Sequence, residues 1–272
     1  LKKLFSGVSK LEKIGEGHYG AIVDEDFTIA GKPNGGYLLA LVDRAILSET
    51  SFGDVLSSNC TYLISPDPGP VEIDVTLYRS GRNFAQLGGQ MTQGGQLCLV
   101  VTTVVTTFDP LAKPYWERDE QFQSVTPWDQ CLSIPVQSPG GFKAAIMEQV
   151  DIRLDPNVKI YSENFPSGSG ELRGWLRLPE GEDFDSVSLQ YALDSFPPAT
   201  FEIERSGWVP TLALNTYVRT RPAPGSLWIM QRANLIQGQL VDERCYAWDS
   251  SGALVGQATQ IAGVRLGEYA IG

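Results

Sequence analysis

The chain has 272 residues, enough for one large or two modest domains, and its 42% hydrophobic and 19% charged composition suits a folded protein with a sizeable core. A formal net charge of -11, with no cluster of Lys or Arg to offset it, repels phosphate backbones and argues against a nucleic-acid partner. No apolar run approaches the roughly 20 residues that cross a membrane, so no membrane partner is expected.

The opening Leu1-Lys2-Lys3-Leu4-Phe5 turns polar too soon for a signal peptide, and a cytoplasmic location is the expectation. Strand-like segments at about 10–19 and 21–29 come first, broken by glycines. Pro33-Asn34-Gly35-Gly36 then introduces an apolar stretch, Tyr37 to Leu47, whose hydrophobic residues fall on nearly every side. That pattern predicts a helix buried inside a sheet rather than lying on a surface. Four strands are expected next, at 55–64, 71–78, 84–91 and 97–108. The second alternates apolar and polar residues at period two, and Gln93-Gly94-Gly95-Gln96 reads as the hairpin turn before the last.

Between about 109 and 141 the pattern dissolves. Pro110, Pro114, Pro127, Pro135 and Pro139 punctuate a stretch that holds Trp116 and Trp128. It reads as a linker draped over the surface, since its aromatics need cover. The second half then repeats the plan. Strands are expected at 144–154 and 172–178, an acidic turn at 179–183, and a helix at about 185–194 ended by Pro197-Pro198. Strands follow at 211–219, 227–235, 240–248 and 253–265, the last introduced by the turn Trp248-Asp249-Ser250-Ser251-Gly252.

A nearly all-apolar helix needs burial all round, and a strongly curved antiparallel sheet can wrap it. Helix then four strands, twice over, therefore predicts an α+β chain. Its expected architecture is a tandem (double) hotdog, with two curved antiparallel sheets each wrapping a central helix. Residues 1–108 form the first hotdog, 109–141 the linker and 142–272 the second. A single hotdog completes its site with a neighbour; two in one chain supply that pair internally, and a homodimer or higher homo-oligomer is expected.

The reactive residues are few. Cys60, Cys98, Cys131 and Cys245 form no CxxC pair, which excludes a zinc ribbon or redox motif. Free thiols in a reducing compartment are the expectation, though spacing alone leaves a disulfide open. With one histidine, His18, a histidine-rich metal site is excluded, and any nucleophile–His–acid triad would have to recruit it. Its place in Gly15-Glu16-Gly17-His18-Tyr19-Gly20 suggests a structural or solvent-exposed strand or turn residue instead. No cofactor and no metal are expected.

Several segments together resemble the acyl-CoA thioesterase-like proteins of the double-hotdog type. Pro33-Asn34-Gly35-Gly36-Tyr37-Leu38 resembles the glycine-led opening of the family's first helix, and the stretch from Leu77 to Phe84 its following strand-turn-strand. The stretch from Trp208 through Arg219 to Pro222 is similar to the central strand of the second half, and Leu254-Val255-Gly256-Gln257-Ala258-Thr259-Gln260 to the closing strand. The resemblance implies hydrolysis of an acyl thioester, on CoA or on a carrier, by a water held between an Asp, a Thr or Ser, and a Gln. Matched motif to motif, these fall on Asp194, Thr211 and Gln260, with Thr216 the alternative should the register shift.

The chemistry fits those residue types. A partly desolvated carboxylate can deprotonate water, while a hydroxyl and an amide fix the water's orientation. Backbone N–H groups at a helix N-terminus can receive the oxyanion, and Gly35 and Gly36 would let the thioester carbonyl approach them. Each residue also has a plain structural reading. Asp194 could close a helix end, Thr211 and Gln260 are ordinary strand residues, and Gly35-Gly36 could be a helix-entry turn. The polar trio falls in the second half alone, so one working site per chain is expected, with Thr103 the first-half residue nearest in register to Gln260. The strong negative charge sits awkwardly with CoA phosphates unless Arg79, Arg82, Lys143, Arg173, Arg219 and Arg221 gather near the site. Two alternatives stand beside hydrolysis: a repurposed hotdog enzyme (cyclase, lyase or product-releasing hydrolase in a biosynthetic pathway), or a non-catalytic acyl or lipid binder.

Overall fold

The computed structural model describes residues 2–117 and 125–267. In chain order the first half holds α1 (Phe5–Val8), β1 (Leu11–Gly15), β2 (His18–Val23), β3 (Thr28–Ile29), β4 (Lys32–Pro33), α2 (Gly35–Ser48), β5 (Asp54–Tyr62), β6 (Gly69–Ser80), β7 (Ala85–Gln93) and β8 (Gln96–Thr106). The second half holds β9 (Leu132–Ser133), α3 (Ile146–Gln149), β10 (Asp151–Leu154), α4 (Lys159–Ser162), β11 (Glu171–Arg177), α5 (Ser188–Ala192), β12 (Thr211–Val218), β13 (Leu227–Gln237), β14 (Leu240–Trp248) and β15 (Leu254–Gly263).

Apart from the small β3–β4 pair, the strands form one antiparallel sheet of 13 strands, in the order β1-β2-β6-β7-β8-β5-β12-β15-β14-β13-β11-β10-β9. The expectation of two separate sheets is corrected here. Strands β5 and β12 pair directly, with Cys60 opposite Leu214, Asn59 opposite Asn215 and Ser58 opposite Thr216. Joining the halves through backbone hydrogen bonds removes two sheet edges that would otherwise attract another chain.

Helix α2 is enclosed as its composition demands, since every residue from Gly36 to Asp43 is buried. Asn34 caps it, its side chain accepting the Tyr37 N–H at 2.9 Å. The polar member, Asp43, is accommodated by two hydroxyls: Ser58 donates to one carboxylate oxygen and Thr103 to the other, each at 2.7 Å. These three lie at 0%, 0% and 1% exposure, so the first half contains a sealed polar cluster rather than an open site. Thr103 is thereby committed to Asp43, and it lies opposite Ser58 in the sheet while Gln260 lies opposite Leu214.

Some elements differ from the sequence expectation. Residues 144–154 are not one strand: α3 precedes the short β10. The second central helix is only α5, five residues long, because Asp185 accepts the Val187 and Ser188 N–H groups at its start and Pro197 and Pro198 follow closely. The hairpin turn at 93–96 is as expected, with Gly94 and Gly95 at φ 58° and 79°, the left-handed pair a two-residue turn requires.

The stretch between the halves is partly docked. Trp128 lies beneath the guanidinium groups of Arg153 and Arg177, 4.5 and 3.5 Å from its ring centroid, and Leu132–Ser133 adds an edge strand beside β10. Trp116, by contrast, stays 74% exposed, against the expectation that the linker aromatics are covered. No helix among the described residues is long and apolar enough to cross a membrane.

Candidate active site

The C-terminal end of α5 meets the N-terminal end of α2, and a cavity of about 230 Å³ opens beside that junction. Asn34 and Gly35 from the first half and Asp194, Thr211 and Gln260 from the second all line it. The remaining wall is mainly apolar, with Phe142, Tyr161, Phe196, Phe201 and Trp208 among its members.

Asp194 directly follows the α5 turn and is held by α2. Its Oδ2 accepts the Gly36 N–H at 2.7 Å and the Asn34 side-chain amide at 3.1 Å, and the same Asn34 nitrogen donates to the Asp194 carbonyl at 2.9 Å. A carboxylate suits a helix N-terminus, where unsatisfied N–H groups and the helix dipole favour negative charge. The two glycines make this approach possible. A Cβ on Gly36 would stand 2.6 Å from the Gln190 carbonyl oxygen and 2.7 Å from the Asp194 Cβ, and one on Gly35 3.1 Å from Asp194 Oδ2. The Gly36 donor is thus spent on Asp194, whereas the Gly35 N–H takes no acceptor among the described residues.

Asp194 keeps some exposure, into the cavity it lines, yet dense protein surrounds its carboxylate. Burial pushes its pKa up to about 7, and the nearby Glu243 carboxylate adds to the rise. The Gly36 N–H and the Asn34 amide pull the other way. A carboxylate so tuned is an effective base near neutral pH.

Thr211 opens β12 at a bulge in its pairing with β15, which lets its side chain reach Gln260. The Thr211 hydroxyl lies 3.1 Å from Gln260 Oε1. Thr216 is instead fully buried against Gln190, at 2.5 Å from its Oε1. Of the two threonines considered, Thr211 is the one in the cavity wall.

Behind Gln260 stands a residue that sequence reasoning missed. Glu243 on β14 is 1% exposed. It accepts Gln260 Nε2 at 2.5 Å and Gln231 Nε2 at 2.9 Å on one oxygen, and the Ala199 N–H at 2.8 Å on the other. No Lys, Arg or His among the described residues pairs with it. A signal existed: Val241, Glu243, Cys245 and Ala247 alternate along β14 as its buried face, and an acid in that series is out of place unless it has partners.

Other sequence candidates lie elsewhere. His18 sits on β2, its Nδ1 2.7 Å from Asp74. The four cysteines are free and buried. The basic residues do not gather at the cavity, whose lining contains no Lys or Arg. Arg221 pairs with Asp54 and Arg173 with Glu171 instead.

Comparison with known proteins places the chain as a whole. Residues 23–108 match the family model for the acyl-CoA thioesterase N-terminal domain, and residues 128–264 that for the C-terminal domain. An uncharacterised protein of Mycobacterium tuberculosis is 26% identical over 265 residues, spanning 88% of each chain. The thioesterase-like protein TwmA of Talaromyces wortmannii is 23% identical, over 95% of this chain and 91% of its own. Among solved structures, a Thermobifida fusca protein proposed to be a thioesterase II superposes with a TM-score of 0.88 at 25% identity, covering 97% of this chain and 98% of that one. A hotdog-fold protein of unknown function from Alicyclobacillus acidocaldarius gives 0.86 at 17% identity, covering 98% and 100%, a likeness of fold.

Proposed function

The chain belongs to the acyl-CoA thioesterase family, and from that premise we propose that it hydrolyses an acyl-CoA or a related acyl thioester, with Asp194 as base and water as nucleophile. The observation that carries this reading is that Asp194, Thr211 and Gln260 all line one mainly apolar cavity, beside the N-terminus of α2. In this reading the molecule is two hotdog halves, 1–108 and 142–272, fused edge to edge, and its site draws on both.

The acyl chain lies against the aromatic wall, and the phosphates of CoA stay outside a cavity that has no basic lining. Asp194 Oδ1 takes a proton from a water that Thr211 and Gln260 orient. The water oxygen bonds to the thioester carbon, and the carbonyl electrons move to oxygen, where the Gly35 N–H receives the charge. Collapse re-forms the carbonyl and breaks the C–S bond. The thiolate recovers the proton from Asp194, leaving a free acid and a thiol. No step requires a histidine.

Release of free thiol from an acyl-CoA series of increasing chain length tests the proposal. Turnover is expected for apolar acyl groups. Tight acyl binding with no hydrolysis of any thioester would overturn it in favour of a binding protein.

A further inference from the structure

We infer that Glu243 is a positioning residue of this site, fixing the hydrogen-bond polarity of the Gln260–Thr211 pair that faces the attacking water. The inference rests on the hydrolytic reading above and adds to it a residue behind the cavity wall. Both Glu243 oxygens accept, from the Ala199 N–H, Gln231 Nε2 and Gln260 Nε2, and an acceptor-only carboxylate turns the Gln260 amide with its Nε2 towards Glu243 and its Oε1 towards Thr211. The Thr211 hydroxyl then donates to Gln260, and its remaining lone pairs face the cavity. A water there gives one hydrogen to Thr211 and the other to Asp194, which leaves both of its lone pairs free and one of them turned outward for attack. Were the amide reversed, Gln260 would donate to Thr211. The threonine proton would then point at the water and occupy one of its two lone pairs, which lowers the nucleophilicity of the other.

Glu243 also acts on Asp194 through space. The titratable groups around Asp194 are Cys60 and Tyr62 from β5, Tyr191 from α5, and Cys245 and Glu243 from β14. Burial pushes the thiols and phenols up, so they stay neutral near pH 7. Glu243 is the other carboxylate in this set: burial raises it too, while hydrogen bonds from Gln260, Gln231 and the Ala199 N–H favour its charged form, and as an anion it holds the Asp194 proton more tightly than burial alone.

Glu243→Gln keeps the shape and removes both the charge and the acceptor-only character. Its kcat is expected to fall by about tenfold or more, as misplacement of a reacting group does, with KM unchanged because Glu243 lies behind the cavity wall. The acid limb of the pH–rate profile is expected to move to lower pH. Carbon-13 NMR titration of the aspartate carboxyls should show the Asp194 resonance moving in the same direction, a readout that needs no turnover and so separates this inference from the hydrolase assignment. Should Glu243→Gln not fold, Glu243→Asp carries the test. It withdraws the anion from Gln260 by one methylene, and kcat should fall while the acid limb stays near its wild-type position. A merely structural role would lower thermal stability and leave kcat, the acid limb and the Asp194 titration in place. That result in either folded variant would overturn the inference.

Discussion

Asp194→Asn is expected to lower kcat by about 10²–10⁴-fold, the range over which a positioned base contributes to catalysis. The variant keeps an oxygen to accept the Gly36 N–H, so the junction of α2 and α5 persists while the base is lost. In the wild type, burial raises the carboxylate to about 7, and kcat/KM should rise with pH to that point and then level off. The residual activity of the variant should lack this limb. Stability should move oppositely. The folded-state pKa lies above the ordinary carboxylate value of about 3.9, so between the two the folded protein binds more protons than the unfolded chain. Stability then falls as pH rises from about 4 towards 7 and stays reduced above it. Asp194→Asn should therefore melt at a higher temperature than wild type at pH 8, and the difference should shrink at pH 5. Unchanged turnover would remove Asp194 from the mechanism. A melting difference independent of pH would contradict the desolvated carboxylate.

The second large effect is expected at Gly36. The new Cβ of Gly36→Ala would sit 2.6 Å from a backbone carbonyl oxygen, 2.7 Å from the Asp194 Cβ and 3.1 Å from the Tyr191 Cα. None of these is the free end of a flexible chain, so α2 and α5 must separate. Overpacking of this kind costs about 1–3 kcal/mol, measurable as a lower urea midpoint. The same separation stretches the 2.7 Å bond that holds Asp194. Displacement of a reacting group by about 1 Å is worth roughly a hundredfold in rate. A folded Gly36→Ala enzyme with wild-type kcat would show that the N–H to carboxylate contact does not matter.

Much of the fold is legible in the sequence because each half states its pattern locally. The mostly apolar run after Gly36 and the Gly94-Gly95 turn carry their own instructions, one through burial and the other through left-handed backbone. Long-range pairing carries no such local mark. Nothing between Asp54 and Tyr62, or between Thr211 and Val218, announces that these strands pair with each other, and so two sheets were expected where there is one. The short α5 eluded the pattern for a different reason: Asp185 and the prolines trim a segment whose composition alone would support a longer helix.

The site divides along the same line. Asp194, Thr211 and Gln260 are proposed from motif, and all three line the cavity. Glu243 has no motif, only its place in an alternating strand. The partner of Gly36 belongs to tertiary structure as well, because Asp194 lies 158 positions away.

The seam between β5 and β12 has a consequence for how the molecule is made. Ribosomal synthesis completes the first half while every residue of β12 is still missing. The emerging half must wait with one side of β5 bare, in the state most open to pairing with the wrong strand. Closing the seam joins Ser58 to Thr216, and contacts so distant along the chain form slowly. Only at that late stage does Asp194 reach the helix that was built first, and only then is there a cavity to fill. Competence at the site is therefore a report that both halves have been finished and joined.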